Sequence, residues 1–216
     1  MPDPSANIRQ RVRIRFGKTG DLRLVSHRDL VVVLERLFRR INLPLGMSEG
    51  FHPRPRMSFP SALALGIEGC DELLEMELSQ VPDATELLAQ LRSAAPPGLE
   101  FYALELVANG APRPQVETIL YEFPVPDERQ AGLSARLEQV LSEKSLQIRR
   151  DDRAAPLELF RALETLELAE GALRMRLRVT GEASVRPAEV LVALEMDDLL
   201  DQGRYWKRSE VVLAPS

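Results

Sequence analysis

The chain has 216 residues, 44% hydrophobic, 28% charged and 5% aromatic, with a single cysteine, Cys70. That length carries one large domain or two of about 100 residues, and the composition is that of a globular protein, not a disordered or fibrous one. One cysteine excludes an internal disulfide, and no apolar run approaches the roughly 18 residues of a membrane span. Met1-Pro2-Asp3-Pro4-Ser5 lacks the charged and apolar regions of a signal peptide, so the expected location is the cytoplasm. The net charge of -5 hides an asymmetry: residues 1–60 hold 12 basic and 5 acidic groups, against 16 and 28 in the remainder. A basic N-terminal quarter of this kind either attracts a polyanion such as nucleic acid or neutralises the acidic remainder within one fold.

In chain order, Val12, Ile14 and Phe16 alternate with Arg11, Arg13 and Arg15, the period-2 signature of a half-buried strand with one arginine face. After Gly17-Lys18-Thr19-Gly20, Ser26 and Asp29 form a capping-box spacing. Leu30, Val33, Leu34, Leu37, Phe38 and Ile41 then recur at helical intervals, predicting a helix over 26–40 that Asn42-Leu43-Pro44 terminates. Met57–Leu65 and Leu73–Leu78 read as extended, Asp83–Ala94 as a second helix and Leu99–Val107 as a strand. The order β-α-β-β-α-β predicts an α+β fold with an antiparallel sheet, in the ferredoxin-like arrangement. Residues 109–115 form a linker dense in loop formers, separating residues 1–108 from residues 116–216. The same order then returns: strand Val116–Phe123, helix Glu128–Glu143, a short strand Leu146–Arg149, a hairpin of Leu159–Leu168 and Ala172–Thr180, helix Pro187–Asp198 and strand Tyr205–Leu213. Two tandem ferredoxin-like units are therefore expected.

Three groups of residues are candidates for chemistry. The arginine face of the first strand, Arg11, Arg13 and Arg15, has a counterpart in Arg174, Arg176 and Arg178. Such a face either binds phosphates or pairs across the sheet with carboxylates such as Glu75, Glu77, Glu100 or Glu105. Lys18, Arg23, His27 and Arg28 surround the start of the first helix, where free N–H groups and the helix dipole favour an anion, the alternative being a solvated surface. Arg36, Arg39 and Arg40 sit at its other end, where cations complement the dipole. The third group is the loop Gly50-Phe51-His52-Pro53-Arg54-Pro55-Arg56, in which two prolines stiffen the backbone. There Phe51 either stacks on a base or plugs the core, and Arg54 and Arg56 are suited to phosphate. His27 and His52 are the only histidines, and a pair of imidazoles near neutral pH is the one candidate for general acid–base catalysis. Neither a phosphate loop, a dinucleotide fingerprint nor a metal-ligand cluster is present, so no cofactor is expected.

Phe16-Gly17-Lys18, Asp21-Leu22-Arg23-Leu24-Val25-Ser26-His27-Arg28-Asp29-Leu30, Glu35-Arg36 with Arg39-Arg40, Leu43-Pro44, Gly50 through Pro55 and Ser58-Phe59 together resemble the radical SAM-linked protein family, with weaker echoes at Val185-Arg186-Pro187 and Lys207-Arg208. The resemblance implies a radical SAM protein as partner and a role in RNA or ribosome modification or maturation. It assigns Ser26, His27, Gly50, Phe51 and Pro53 as motif positions without roles, and Arg28 departs from the family's usual uncharged residue. Since this chain lacks the cysteine triplet of a radical SAM enzyme, the iron–sulfur chemistry belongs to the partner. The leading expectation is a non-catalytic accessory protein that binds RNA or a ribosomal component, or presents substrate, for that enzyme. The alternatives are a metal-independent endoribonuclease using His27 and His52, like the tandem ferredoxin-like CRISPR repeat-processing proteins, and a protein-only adaptor. No membrane association is expected, and the sequence leaves the oligomeric state open.

Overall fold

The computed structural model describes residues 9–149, 156–179 and 185–215. The protein is mixed α+β, built on antiparallel strands with helices between them. It divides into two compact units: one runs to Gln115 and takes in Ala214, and the other is Val116–Leu213.

The first unit contains β1 (Gln10–Lys18), α1 (His27–Arg40), β2 (Met57–Ser58), β3 (Glu68–Leu78), α2 (Ala84–Ala94) and β4 (Leu99–Val107). Its strands lie in the order β4-β1-β3-β2, each neighbouring pair antiparallel. The alternation along β1 sends Val12, Ile14 and Phe16 into the core at 0% exposure. Leu30, Leu34, Leu37 and Phe38 of α1 and Leu87 and Leu91 of α2 pack in the same cluster as those strand residues. Ser26 caps α1 as its spacing with Asp29 predicts: its Oγ accepts the Asp29 amide at 3.1 Å and donates to Asp29 Oδ2 at 2.7 Å. Such a cap stabilises a helix by about 1 kcal/mol.

Two strands differ from the sequence expectation. Of Met57–Leu65 only Met57 and Ser58 pair, with Met76 and Glu75; Pro60 has no amide to continue the ladder. The following segment instead turns away, with the Gly66 amide donating to the Arg23 carbonyl at 2.9 Å. β3 starts at Glu68 and not at Leu73, because Gly69 and Glu72 meet Lys18 and Phe16 of β1 across a register shift. Gly69-Cys70-Asp71-Glu72 lacks apolar alternation, so this pairing left no periodic signal.

The second unit contains β5 (Val116–Pro124), α3 (Asp127–Glu143), the short pair β6 (Gln147–Ile148) and β7 (Leu157–Glu158), β8 (Leu163–Ala169), β9 (Ala172–Arg178), α4 (Pro187–Ala193), α5 (Asp198–Asp201) and β10 (Lys207–Leu213). Its main strands are ordered β10-β5-β9-β8, again antiparallel throughout. Glu170 and Gly171 both have positive φ, 52° and 74°, and join β8 to β9 in the mirror-image type of turn that matches strand twist. The helix expected over Pro187–Asp198 is two helices, because Glu195 takes a left-handed φ of 58°. That break lets Leu194 and Met196 on either side both bury. Leu159–Arg161 is a 3-10 turn with Leu159 buried, and the strand expected from 159 begins at Leu163. Met1–Ser5 and Thr180, the expected end of β9, lie outside the described residues. Among the described residues no helix is long and apolar enough to cross a membrane.

Candidate functional site

The arginines of β1 are engaged across the sheet. Arg13 donates from Nε and Nη2 to Glu75 Oε1, at 3.1 and 2.9 Å, and from Nη1 to Glu105 Oε1 at 2.8 Å. Arg15 donates to Asp71 Oδ2 at 2.6 Å, while Arg11 lies 3.7 Å from Glu75 Oε2 and donates to the Ala111 carbonyl. Glu75, only 3% exposed, is the centre of this network. The second unit repeats the device: Arg174 meets Glu122 at 2.9 Å and Glu170 at 2.5 Å, Arg176 meets Glu210 at 2.7 Å and Arg178 lies 3.8 Å from Glu164. Of the two sequence readings of these arginines, the cross-strand ladder describes what their guanidiniums touch.

Lys18 and Arg23 also turn inward. Lys18 was expected to meet phosphate at the surface, but it is 1% exposed and its Nζ donates to the Val25 carbonyl at 2.6 Å. The reason is the strand's own parity: 12, 14, 16 and 18 share the core face, and the ammonium buys its burial with hydrogen bonds. Arg23 donates to the Gly20 carbonyl at 3.0 Å and lies 3.5 Å from Asp21 Oδ1, bracing the short 3-10 turn before α1.

His27 and Arg28 of α1 come together with Pro53, Arg54 and Pro55 of the loop around an open groove of about 960 Å³. The loop's stem is fixed by backbone geometry. The Gly46 amide donates to the Glu77 carbonyl at 2.7 Å, Arg56 donates to the Gly46 carbonyl at 2.8 Å, and Ser48 donates to the Arg54 carbonyl at 2.8 Å. Ser48 Oγ accepts the Arg54 amide at 3.0 Å, closing the turn. Gly46 is needed there, because a Cβ would stand 2.9 Å from Glu77 Cβ and 3.1 Å from its carbonyl oxygen. The His27 ring meets Phe59 edge-on, with centroids 4.8 Å apart.

The groove also takes in residues that sequence reading did not select. Arg39 and Glu35 line it from α1, Asn42 from the helix end, and Val31, Val32, Leu43, Leu45 and Met47 supply its apolar surface. The signal was available: 28, 32, 35 and 39 form a stripe at helical spacing, off the buried stripe of 30, 34, 37 and 38. Sequence places Arg39 at a helix end, where it complements the dipole, but does not show what crosses beside it.

The remaining loop candidates divide. Arg56 is tied back, donating from Nε to the Met47 carbonyl at 3.1 Å and standing 3.6 Å from Glu77 Oε2. Phe51 does not plug the core, as one reading of it held: it is fully exposed, and His52 beside it is exposed too. Gly50, with φ of 121°, turns the chain just before them, which directs that pair away from the core. Arg28, Arg39 and Arg54 have no side-chain hydrogen bond or ion pair with any described residue, in contrast to the ladder arginines. That contrast separates structural cations from cations that face outward.

The protein is thus an α+β chain whose first unit presents a groove lined by apolar side chains and by guanidiniums that have no partner among the described residues. It belongs to the bacterial family described as an uncharacterized protein conserved in bacteria (DUF2344), whose model matches residues 11–187. That span includes the ladder, the groove and most of the second unit. No curated protein matches the chain.

Proposed function

We propose that this protein is a non-catalytic accessory that binds RNA along the groove between α1 and the 46–56 loop and presents it to a radical SAM enzyme. The observation that carries the RNA-binding part is the division among the arginines. Three groove guanidiniums, Arg28, Arg39 and Arg54, have no partner among the described residues in a groove of about 960 Å³, while the sheet arginines are occupied by carboxylates. An unengaged, planar guanidinium is the side chain best suited to a phosphate, and three around one groove make a backbone track. The radical SAM partner rests on the motif resemblance, whose residues Ser26-His27 and Gly50 through Pro55 stand at or beside this groove. The matching strand orders β4-β1-β3-β2 and β10-β5-β9-β8 support reading each unit as ferredoxin-like, a fold in which helices cover one sheet face.

Fluorescence anisotropy of labelled RNA across a salt series tests the reading. Each phosphate contact on a single strand contributes about 0.7 to the slope of log affinity against log salt, so the triple variant R28A/R39A/R54A flattens the slope by about 2. The variant R13A/R15A, which removes sheet arginines, leaves the slope where it was. An unchanged slope in the groove variant refutes the assignment.

A further inference from the structure

The groove's chemistry is not that of a phosphate track alone, and on the RNA-binding reading it selects between the two forms RNA takes. Val31, Val32, Leu43, Leu45 and Met47 line it between the guanidiniums. A duplex shows a protein its phosphates, its sugars and the edges of its bases, and keeps the apolar base faces stacked inside; an apolar floor gains nothing from it. An unpaired base, by contrast, has two apolar faces to remove from water. The groove volume of about 960 Å³ is at the upper end of the roughly 300–1,000 Å³ typical of ligand sites, which is ample for a nucleotide.

A second observation stands outside the groove. Phe51 is fully exposed two residues before the groove-lining Pro53, on a loop whose stem is hydrogen-bonded to β3 and whose tip is closed by Ser48 and Arg54. A phenyl ring left wholly in water contributes no burial to folding, so its apolar faces are available to a ligand. The same ring on a stiff loop is a stacking platform that loses little entropy on binding. Glu35 adds a third. Among the described residues it is the only acid lining the groove, and no described cation lies within ion-pair distance of it. A carboxylate there repels a phosphate but accepts hydrogen bonds from the N–H edge of a base, an edge that pairing would hide.

We infer that the groove takes single-stranded RNA, with one unpaired base seated between the apolar walls and its neighbour stacked on Phe51 while Arg28, Arg39 and Arg54 hold the flanking phosphates. Duplex RNA binds more weakly, because neither contact with a base face is open to it.

The test uses the full chain and one labelled 12-nucleotide RNA, measured by anisotropy both alone and annealed to its complement, at one salt concentration. The single strand binds at least ten-fold tighter than the duplex. Phe51→Ala lowers single-strand affinity by about ten-fold, within the range found for removal of one stacking aromatic, and leaves duplex affinity unchanged. Phe51→Trp, which keeps a stacking face, restores the single-strand affinity. Since Phe51 touches no core residue, these variants fold as the parent does, which circular dichroism verifies. Equal affinity for strand and duplex, or a Phe51→Ala variant that binds the strand normally, overturns the inference; if R28A/R39A/R54A still weakens binding in that case, the RNA-binding reading stands without it. If the arginine variant binds like the parent, both fail.

Discussion

Removing the carboxylate of Glu75 is the sharpest way to separate the structural arginines from the outward-facing ones. Its Oε1 accepts two hydrogen bonds from Arg13, at 3.1 and 2.9 Å, and its Oε2 lies 3.7 Å from Arg11. The carboxylate is almost completely buried, while the two guanidiniums keep about a fifth of their surface in water, at 19% and 21%. Breaking a buried pair by deleting one partner costs about 3–5 kcal/mol, because the other charge is left uncompensated. Partial hydration of the arginines, and the second carboxylate that Arg13 keeps in Glu105, reduce this to about 2–3 kcal/mol for Glu75→Ala. Asp71→Ala removes a pair that is about a third exposed on its arginine side and costs about 1 kcal/mol or less. Urea unfolding followed by far-ultraviolet circular dichroism reports both, since a change of midpoint at constant m is a change of stability. A Glu75→Ala loss below about 1 kcal/mol, or one no larger than that of Asp71→Ala, would refute the view that the ladder holds the first unit together.

Lys18→Ala destabilises the fold by about 2 kcal/mol, by leaving a cavity and removing the Nζ donor from the Val25 carbonyl, and does not change the salt slope of RNA binding; a flatter slope in a fully folded variant would return Lys18 to the surface. Gly98→Ala costs about 3 kcal/mol in the same melts, since φ is 81° and a Cβ would stand 2.5 Å from the Thr19 carbonyl oxygen, whereas Gly110→Ala, at φ of 80° with open space around it, costs about 1 kcal/mol. Burial first, and then the charge of Glu100 and a hydrogen bond to it, push the Tyr102 phenol up to about 12 from 10.0. The folded state therefore favours the neutral phenol, so its contribution to stability is intact below pH 10 and is lost as pH rises toward 12. Ultraviolet titration shows a late phenolate that Tyr102→Phe abolishes. Asp198, hydrogen-bonded to Arg129, is held below the ordinary carboxylate range, so it supports the fold at neutral pH and ceases to do so as acid protonates it; carboxyl-carbon NMR of Arg129→Ala shows its titration returning upward.

Local order was legible where it depended on neighbours in sequence. The alternation of Val12, Ile14 and Phe16 marked β1, the spacing of Leu30, Leu34, Leu37 and Phe38 marked α1, and Ser26 marked its cap. Even the burial of Lys18 was written in that alternation, since it shares the parity of Phe16, and was missed only because a lysine reads as a surface residue. The break at Glu195 was harder to see: Val190, Leu191 and Leu194 keep helical spacing up to it, and what ends α4 is the gain from burying Met196 in a turn that spacing does not describe.

The sequence by itself determined the periodic elements, the basic character of the first 60 residues and the stiffness of the 50–56 loop, because sterics and side-chain period act over a few residues. Only the tertiary structure decided which cations are free. Arg13 and Glu75 are 62 residues apart in the chain and directly opposite in the sheet, and Arg28 and Arg54 belong to different segments that line one groove. A guanidinium carries the same charge in both places; what it does depends on whether the fold brings a carboxylate to it, and that is settled by cross-strand register and by how a loop lies against a helix.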